Sequence, residues 1–315
     1  MEKMSVSLIV PTKNSKELLQ RHIDDLVEIS NNVIETIVVD SSDNGETIDF
    51  LEKCLPEPST IFISMPLGLY QAWNAGIKKA KSDYIYIATS GDRMDLNNFR
   101  KLYSTAIKFS GDITVSAPNF VSQNGSPVKR KWPVHEYLEY TQCKAPGVIP
   151  KSHVSCCNIL QFPRTLIGSS ASNIYKTSFI KKHLFPVDLG SQGDAVWAVM
   201  HCLKACWAID PSCTSEFVIH ESSKSSYKNN IRDKQLEIIF EYLKQDFEET
   251  HDKEKEKVLN YFKYTEQAFK MRDRLNLKRK EPLGNLNPKV WYLRKTYKSY
   301  VRFKQKLIRE AMIEK

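Results

Sequence analysis

Two acidic residues of this sequence stand directly after runs that predict buried β-strands. Asp40 ends the run 34–40, and Asp92 follows the short apolar run 84–88. An open α/β sheet presents its ligand-binding groups at the carboxyl ends of its strands. A carboxylate placed there can accept hydrogen bonds from the N–H groups or hydroxyls of a ligand. We therefore treat Asp40 and Asp92 as candidate binding residues, with a turn-forming aspartate as the alternative.

A third acid and a histidine lie in the second half of the chain. Asp194 precedes an apolar run that contains Trp197. An aspartate at this position suits a helix N-cap, and Trp197 one turn on could supply an apolar wall. His220 follows the strand-like run 217–219 and precedes small hydroxyl residues. A histidine can be neutral or cationic near neutral pH, so a structural role and a ligand-binding role both stay open for it.

Alternating strand-like and helix-like runs must position these side chains. The segment 67–92 predicts a turn, a helix and a buried strand, with Tyr70, Trp73 and Ile77 at helical spacing. The whole first third alternates in this way, which predicts a mainly parallel sheet with helices on both faces. The predicted strands are 5–10, 34–40, 60–64 and 84–88, and the predicted helices between them are 15–30, 44–54 and 68–80.

The rest of the chain predicts further elements and two changes of character. A helix is expected over 97–109 and a strand over 113–117. Residues 119–166 are rich in proline and hold the basic-aromatic cluster Lys129-Arg-Lys-Trp132, so we expect a long, ordered insertion. After a return to short strands and helices, the chain predicts charged helices over 230–247, 252–275 and 288–313. We expect one domain over 1–225 and a helical extension over 226–315.

The formal net charge is +9, and much of it lies in a C-terminal stretch, since 289–309 contains eight Lys or Arg and no acid. Such a segment calls for an anionic partner. One interpretation is a basic amphipathic helix on an anionic membrane surface, and the other is a helix packed on the main domain with a basic outer face. No run approaches the ~18 apolar residues of a membrane span, and no signal peptide is expected. Seven irregularly spaced cysteines are typical of a reduced, cytoplasmic protein.

Three segments, in order, resemble glycosyltransferase family 2, whose members have the GT-A fold. The opening run 5–14 and the run 37–40 are similar to the first two strands of that family. The central segment is similar to the pattern Gly-Ile-Tyr-Asp-Ala-Met-Asn-x-Gly-Ile, followed by Gly-Asp-Tyr-Ile and by Asn-Ser-Gly-Asp. The matching residues there are Gly68, Tyr70, Ala72, Asn74, Gly76, Ile77, Ala80, Asp83, Tyr84, Ile85, Ser90, Gly91 and Asp92.

The resemblance implies a nucleotide-sugar donor and a set of residues that bind it. Asp40 would accept from the base or ribose, and Asp92 would bind Mg²⁺ or Mn²⁺ on the diphosphate, with His220 as a further ligand. This chain has Thr89 where the family often has an acid or asparagine, which weakens the case for tight metal binding. The implied donor-binding residues are Pro11, Thr12, Asn14, Asp40, Gly68, Tyr70, Asn74, Ser90, Gly91, Asp92 and His220.

The resemblance also implies an inverting transferase with Asp194 as general base, which works best with a raised pKa, and with Asp188 as the second candidate. Its acceptor would be a glycan or a lipid-linked acceptor, in the assembly of a surface polysaccharide at the inner face of the cell membrane. The insertion 119–166 would lie on the acceptor side, where its basic and aromatic residues suit phosphates, acidic sugars and sugar rings; a solvated charged loop is the alternative.

A degenerate, non-catalytic relative that binds a nucleotide or scaffolds a membrane complex is one alternative. A nucleotidyltransferase is another, but the turn 11–14 lacks the glycines of a phosphate loop. A nucleic-acid binder is disfavoured because the chain has no recognised reading motif.

Overall fold

A computed structural model describes residues 2–57, 59–64, 67–219, 235–239, 241–242, 253–279 and 288–313. Within them, eight strands form one mixed sheet and two form a small parallel sheet. The strands of the main sheet are β1 (Met4–Thr12), β2 (Val33–Asp40), β3 (Thr60–Ser64), β4 (Tyr84–Ile87), β5 (Ile113–Val115), β7 (Gly147–Val148), β8 (Asn173–Lys176) and β9 (Trp207–Ile209). The small sheet pairs β6 (Asn119–Ser122) with β10 (Glu216–Ile219).

The main sheet has the strand order β3-β2-β1-β4-β8-β5-β9-β7. Strands β3, β2, β1 and β4 are mutually parallel, whereas β8 is antiparallel to both of its neighbours. The parallel strands therefore bring the chain segments after β1, β2 and β4 to one edge of the sheet. This architecture confirms the predicted mixed, mainly parallel α/β fold and its predicted strands, which differ from the observed ones by at most about two residues at either end.

Helices flank the sheet and continue to the C-terminal part of the chain. The helices are α1 (Lys16–Gln20), α2 (Ile23–Asn32), α3 (Glu46–Cys54), α4 (Leu69–Lys79), α5 (Leu96–Lys108), α6 (Pro133–Thr141), α7 (Lys151–Ser155), α8 (Thr177–Ile180), α9 (Gly193–Met200), α10 (Lys253–Arg279) and α11 (Pro288–Ile313). A π-helical turn, Cys156–Leu160, follows α7 directly. The prediction of one helix over 15–30 was wrong, because the chain breaks at Arg21-His22 between α1 and α2.

Strand β1 supplies side chains to apolar clusters on both faces of the sheet. Val6, Leu8 and Val10 belong to one buried cluster and Ile9 to the other, as the alternation of side chains along a strand requires. Helix α4 covers the second face at Gly76, where an added Cβ would lie 2.6 Å from Cγ2 of Ile9. The glycine therefore sets how closely α4 approaches the central strand.

The C-terminal helices pack on the predicted insertion. Helix α11 contacts α6, α7 and the π-helical turn, and α10 contacts that turn as well. Ile308 and Met312 of α11 are buried, at 4% exposure each, whereas Phe303 remains 42% exposed. The predicted helices 252–275 and 288–313 are thus observed, while most of the predicted helix 230–247 lies outside the described residues. None of the described helices is long and apolar enough to cross a membrane.

Candidate active site

A cleft of about 350 Å³ opens at the carboxyl edge of the parallel strands. The segments after β1, β2 and β4 and the start of α4 meet there, as expected for a ligand site in an open α/β sheet. The predicted binding residues Pro11, Thr12, Gly68 and Ser90 all lie in its wall. The complete lining is Pro11, Thr12, Lys13, Ser15, Leu18, Ser41, Leu67, Gly68, Leu69, Ala72, Thr89 and Ser90.

Hydroxyl groups connect the two central strand ends under this cleft. The Oγ atom of Ser15 lies 2.5 Å from Oγ1 of Thr12 and accepts hydrogen bonds from the Lys13 amide at 3.1 Å and from Oγ of Ser90 at 3.1 Å. The turns after β1 and β4 are therefore held together by one small side chain. The contact between Ser15 and Ser90 spans 75 positions, and nothing in the sequence indicated it.

Asn14 and Asp40 hold the turn after β2. Asn14 has a positive φ of 48° and is exposed; its amide side chain donates to Asp43 and accepts from the Asp43 N–H. Asp40 is 1% exposed and accepts from Oγ of Ser42 at 2.6 Å, while its neighbour Ser41 lines the cleft. The structure thus gives Asn14 a loop-fixing contact and places Asp40 beneath the cleft wall. Their contact with a nucleoside stays a prediction.

Asp92 follows β4 and is surrounded by hydrogen-bond donors. Oδ2 accepts from Oγ of Ser169 at 2.6 Å and from Oγ1 of Thr89 at 3.1 Å, and Oδ1 accepts from the Val218 amide at 3.1 Å. Burial raises the pKa of Asp92 to about 6, although these three hydrogen bonds favour the charged form. Asp92 is therefore a partly buried carboxylate that titrates close to neutral pH. It joins three segments that are far apart in sequence.

His22 holds the turn that carries Asp92, a function that the sequence did not reveal. Gly91 has a φ of +100°, which favours glycine, and its amide donates to Nε2 of His22 at 2.9 Å. Burial lowers the pKa of His22 to about 4, so the ring is neutral and able to accept at physiological pH. His22 lies at the break between α1 and α2, within the stretch for which the sequence predicted one continuous helix.

A serine-rich loop before β8 forms the other support of Asp92. Ser169 binds Asp92, Ser170 donates to Oγ1 of Thr89 at 3.4 Å, and Ser172 shares a 2.7 Å hydrogen bond with Ser215 near β10. Asn173 fixes this loop through two 2.6 Å hydrogen bonds to its carbonyl groups. The run Ser-Ser-Ala-Ser was visible in the sequence, but nothing there indicated its partner.

Asp194 lies in the first turn of α9 and is held by the start of α4. The hydroxyl group of Tyr70 hydrogen-bonds to its carboxylate, and Oδ1 accepts from the Ala195 amide at 2.7 Å. Burial raises the pKa of Asp194 to about 6 in spite of these contacts, which favour the charged form. Tyr70 directly follows Leu69, a residue of the cleft wall, so Asp194 is tied to the rim of the cleft.

Two further residues define where Asp194 can lie. An added Cβ at Gly193 would stand 2.6 Å from Cε2 of Tyr70 and 2.7 Å from the Pro186 carbonyl oxygen, so only glycine fits. Asn74 is buried, donates to the Phe185 carbonyl at 2.8 Å and accepts from the Phe185 amide at 3.0 Å. Tyr70 and Asn74 were predicted to bind the donor, and the structure shows that both hold the segment leading to Asp194. Direct donor contact by either stays a prediction.

The metal prediction rests on Asp92 alone within the described residues. His220 lies outside them, although Val218, two positions earlier, binds Asp92. No group of three His, Cys, Asp or Glu side chains that could hold a metal ion occurs in the described part of the chain. Among the described residues, Oδ1 of Asp92 accepts one hydrogen bond, from the Val218 amide. The residues present therefore fit an ion held by one carboxylate, substrate phosphates and water, which is how Mg²⁺ commonly binds.

Comparison with known proteins gives one family and one set of similar structures. The family model described as Glycosyl transferase family 2 matches residues 7–162, which include β1, β2, β4 and the cleft. No curated protein matches the sequence.

Similar solved structures include those of S. aureus TarS 1-349. The structure in complex with UDP-GlcNAc has a TM-score of 0.63 and 15% sequence identity, covering 98% of this chain and 92% of that chain. The structure in complex with UDP has a TM-score of 0.60 at the same identity and coverage. At this identity the similarity establishes a shared fold, and it extends through the C-terminal helices of this chain.

Proposed function

Since this chain belongs to glycosyltransferase family 2 and is therefore a glycosyltransferase, we propose that it transfers a sugar from a nucleotide-diphosphate-sugar to a hydroxyl group, with inversion. The observation that carries the proposal is a pair of aspartates that hydrogen bonds join to segments of the cleft wall, with burial raising the pKa of each. Asp92 follows two residues of the wall, Thr89 and Ser90, and Asp194 is bound by Tyr70, which follows Leu69 of the wall. Partly buried carboxylates with pKa values near neutrality are typical of catalytic sites.

The donor would lie in the cleft with its nucleoside between the ends of β1 and β2. Pro11, Thr12 and Ser41 provide the wall there, and Asp40 lies directly behind them. Ser90 and Gly91 would lie near the diphosphate, with Gly68 at the start of α4 on the opposite wall. The structure of TarS with UDP-GlcNAc supports UDP-sugars as the first donors to test.

Asp92 would hold the Mg²⁺ or Mn²⁺ ion on the donor side, together with the phosphates and, outside the described residues, His220. Such an ion would neutralise charge that develops on the leaving nucleoside diphosphate. The hydroxyl groups of Ser169 and Thr89 and the Val218 amide orient the Asp92 carboxylate. They also leave one of its oxygens with a single hydrogen bond, which suits a second interaction.

Asp194 would act as the general base. Its carboxylate takes the proton of the acceptor hydroxyl while that oxygen forms the new bond to the anomeric carbon. The bond between the anomeric carbon and the diphosphate oxygen breaks on the opposite face, and the nucleoside diphosphate leaves with the electron pair of that bond. A base with a pKa of about 6 is ionised at neutral pH and still accepts a proton effectively.

The alternatives to an active transferase lack such support. A degenerate binding protein would have no need of Asp194, whose carboxylate is destabilised by burial and positioned by Tyr70. A nucleotidyltransferase would need a glycine-rich phosphate loop after β1, and the observed turn there is built from Thr12, Asn14 and Ser15.

We further propose that the acceptor belongs to surface polysaccharide assembly at the inner face of a membrane. The support is the exposed side of α11, which carries a row of basic side chains and the half-exposed Phe303. A basic helix surface with an aromatic side chain suits an anionic bilayer. The exposed basic residues of this helix are Lys295, Lys298, Arg302, Lys306 and Arg309.

A thermal-shift panel tests the donor assignment. UDP-, GDP-, dTDP- and CMP-sugars are added with Mg²⁺, with Mn²⁺ or with EDTA, and the melting temperature is recorded. We expect stabilisation by UDP-sugars that is enhanced by a divalent ion and lost in Asp92→Ala. Stabilisation without release of nucleotide from any of the four classes would support the degenerate binding protein instead, and stabilisation by none of them would refute the donor assignment.

A further inference from the structure

A second depression, beside the Asp92 turn, has a basic and aromatic wall. Its volume is about 760 Å³, and it lies along the small sheet of β6 and β10. Lys129, Arg130 and Lys131 line it on one side and Glu216 on the other. We name this depression the basic groove. Its remaining lining consists of Pro118, Asn119, Phe120, Val121, Gly125, Pro127, Val128 and His135.

The basic groove adjoins the Asp92 turn through direct contacts. Glu216 exchanges two backbone hydrogen bonds, of 2.9 and 2.7 Å, with Arg93, the residue after Asp92. Behind the groove the Trp132 ring packs on Gly168, where an added Cβ would lie 2.3 Å from the ring. Gly168 precedes Ser169, which donates to Asp92. A molecule in the groove would therefore lie beside the Asp92 turn.

The basic side chains of the groove are held in place by neighbouring groups, and among the described residues most of them have no acidic partner. The Arg130 guanidinium stands 5.6 Å from the ring centre of Phe120 and 6.0 Å from that of Trp132, so aromatic faces orient it. Lys131 is paired with Glu139 at 2.6 Å. Neither Lys129 nor Arg130 has an acidic partner within salt-bridge distance among the residues that the structure describes.

Further cations extend the basic groove toward the C-terminal helices. Arg164 donates to the Lys131 carbonyl at 3.5 Å. Phe162, two residues before Arg164, packs edge-on against Phe269 of α10, and Arg272 lies over the ring of Phe269 at 4.8 Å. Lys304 of α11 lies close enough to Arg164 and Arg272 for their charges to act on it. Burial, together with these charges, lowers the pKa of Lys304 to about 8. Cations thus continue from the groove to both C-terminal helices.

We infer that the acceptor is an extended polyanionic chain, which lies in the basic groove beside Asp92 and continues over Arg164 toward α10 and α11. This inference rests on the proposed function and specifies the class of acceptor. Arginine forks and lysines bind phosphodiester or carboxylate groups through charge-assisted hydrogen bonds. The aromatic side chains of the groove would contact the apolar faces of the sugar or polyol units between the charges.

Binding of defined polyanions to the full chain tests this inference. The probes are long-chain inorganic polyphosphate, polygalacturonate and neutral dextran, each at 50 and 300 mM NaCl. We expect the wild type to bind one or both polyanions, more weakly at high salt, and not to bind dextran. Tighter binding of polyphosphate assigns phosphate groups to the acceptor, and tighter binding of polygalacturonate assigns carboxylates.

Three double variants locate the binding surface. Lys129→Glu with Arg130→Glu should weaken polyanion binding by about tenfold or more, since each lost contact to a charged group is worth about that factor. Arg164→Gln with Arg272→Gln should weaken long chains but not tripolyphosphate. The matched control, Lys78→Glu with Lys79→Glu, makes the same charge change at the end of α4, and its polyanion affinity should stay within about twofold of the wild type apart from a general charge effect.

The outcomes separate this inference from the proposed function. Polyanion binding that is unchanged in the groove variant, equal binding of dextran, or tighter binding of a single-stranded oligonucleotide than of either polyanion would overturn it. The thermal shift with UDP-GlcNAc is measured on the same variants and should be unaffected. If UDP-GlcNAc causes no thermal shift in the wild type, the proposed function is refuted, whether or not the polyanions bind.

Discussion

Removal of one hydroxyl group, in Tyr70→Phe, should move the pH profile of catalysis. The hydroxyl of Tyr70 stabilises the charged form of Asp194, whose pKa burial raises to about 6. A hydrogen bond to a charged group is worth about 1.5–3 kcal/mol, which corresponds to about one to two pH units. The pKa of Asp194 in the variant should therefore rise to about 7 or above. At pH 7 the ionised fraction would fall from about 90% to about 50% or less, and at pH 9 it would be restored.

Nucleotide release from UDP-GlcNAc, measured between pH 5 and 9.5, provides the assay without a known acceptor. Tyr175→Phe is the matched control, because Tyr175 is also buried near Asp194 but hydrogen-bonds to Asn173. We expect the midpoint of the rising limb to shift by about one unit in Tyr70→Phe and to stay in place in Tyr175→Phe. An unchanged midpoint in Tyr70→Phe, with normal donor binding, would refute the assignment of Asp194 as the base positioned by Tyr70.

The remaining predictions concern stability and the geometry of the site. Asp194→Asn should raise the free energy of unfolding at pH 7.5 by about 3 kcal/mol, because burial raises the pKa of Asp194 from 3.8 to about 6 and each pKa unit corresponds to about 1.4 kcal/mol. Denaturation at pH 3 should show almost no such gain, since both the native and the unfolded state then hold the proton. When the pH falls from 6.5 to 4.5, the free energy of unfolding of His22→Asn should fall by about 2 kcal/mol less than that of the wild type. The reason is that His22, with a pKa of about 4 in the native state, stays mostly unprotonated over this range while the same residue in the unfolded chain takes up a proton. Urea titrations at the two pH values check this, and equal losses would contradict it. Gly193→Ala should lower donor turnover at least about tenfold with unchanged donor affinity, because the new methyl group meets Tyr70 and displaces Asp194. A changed KM with unchanged kcat would contradict that reasoning.

The parallel half of the sheet was readable from the sequence because its signals are local. Apolar runs preceded Asp40 and Asp92, and in the structure Asp40 ends β2 while Asp92 lies in the turn that follows β4. The same local signals joined α1 and α2 into one helix. At the break between these helices, His22 accepts a hydrogen bond from Gly91, which is 69 positions away in the sequence. A contact over that distance leaves no local pattern from which it could be predicted.

The residues that position Asp92 and Asp194 could not be predicted from the sequence for the same reason. Tyr70 and Asn74 matched a family pattern and were therefore assigned to the donor. Their observed partners, Asp194 and Phe185, lie more than 100 positions away. A motif thus identified important residues without showing which interactions they make. The serine loop at 169–172 had no motif at all, and only the folded chain reveals that it holds Asp92.

The most direct test of the account is to separate donor binding from turnover in Asp194→Asn. UDP-GlcNAc affinity and steady-state nucleotide release are measured on the purified variant beside Asp92→Ala. We predict that Asp194→Asn keeps donor affinity within about twofold and loses about 10²–10⁴-fold in kcat, while Asp92→Ala weakens the metal-dependent affinity. Wild-type turnover in Asp194→Asn would contradict the central claim that this aspartate deprotonates the acceptor beside the cleft.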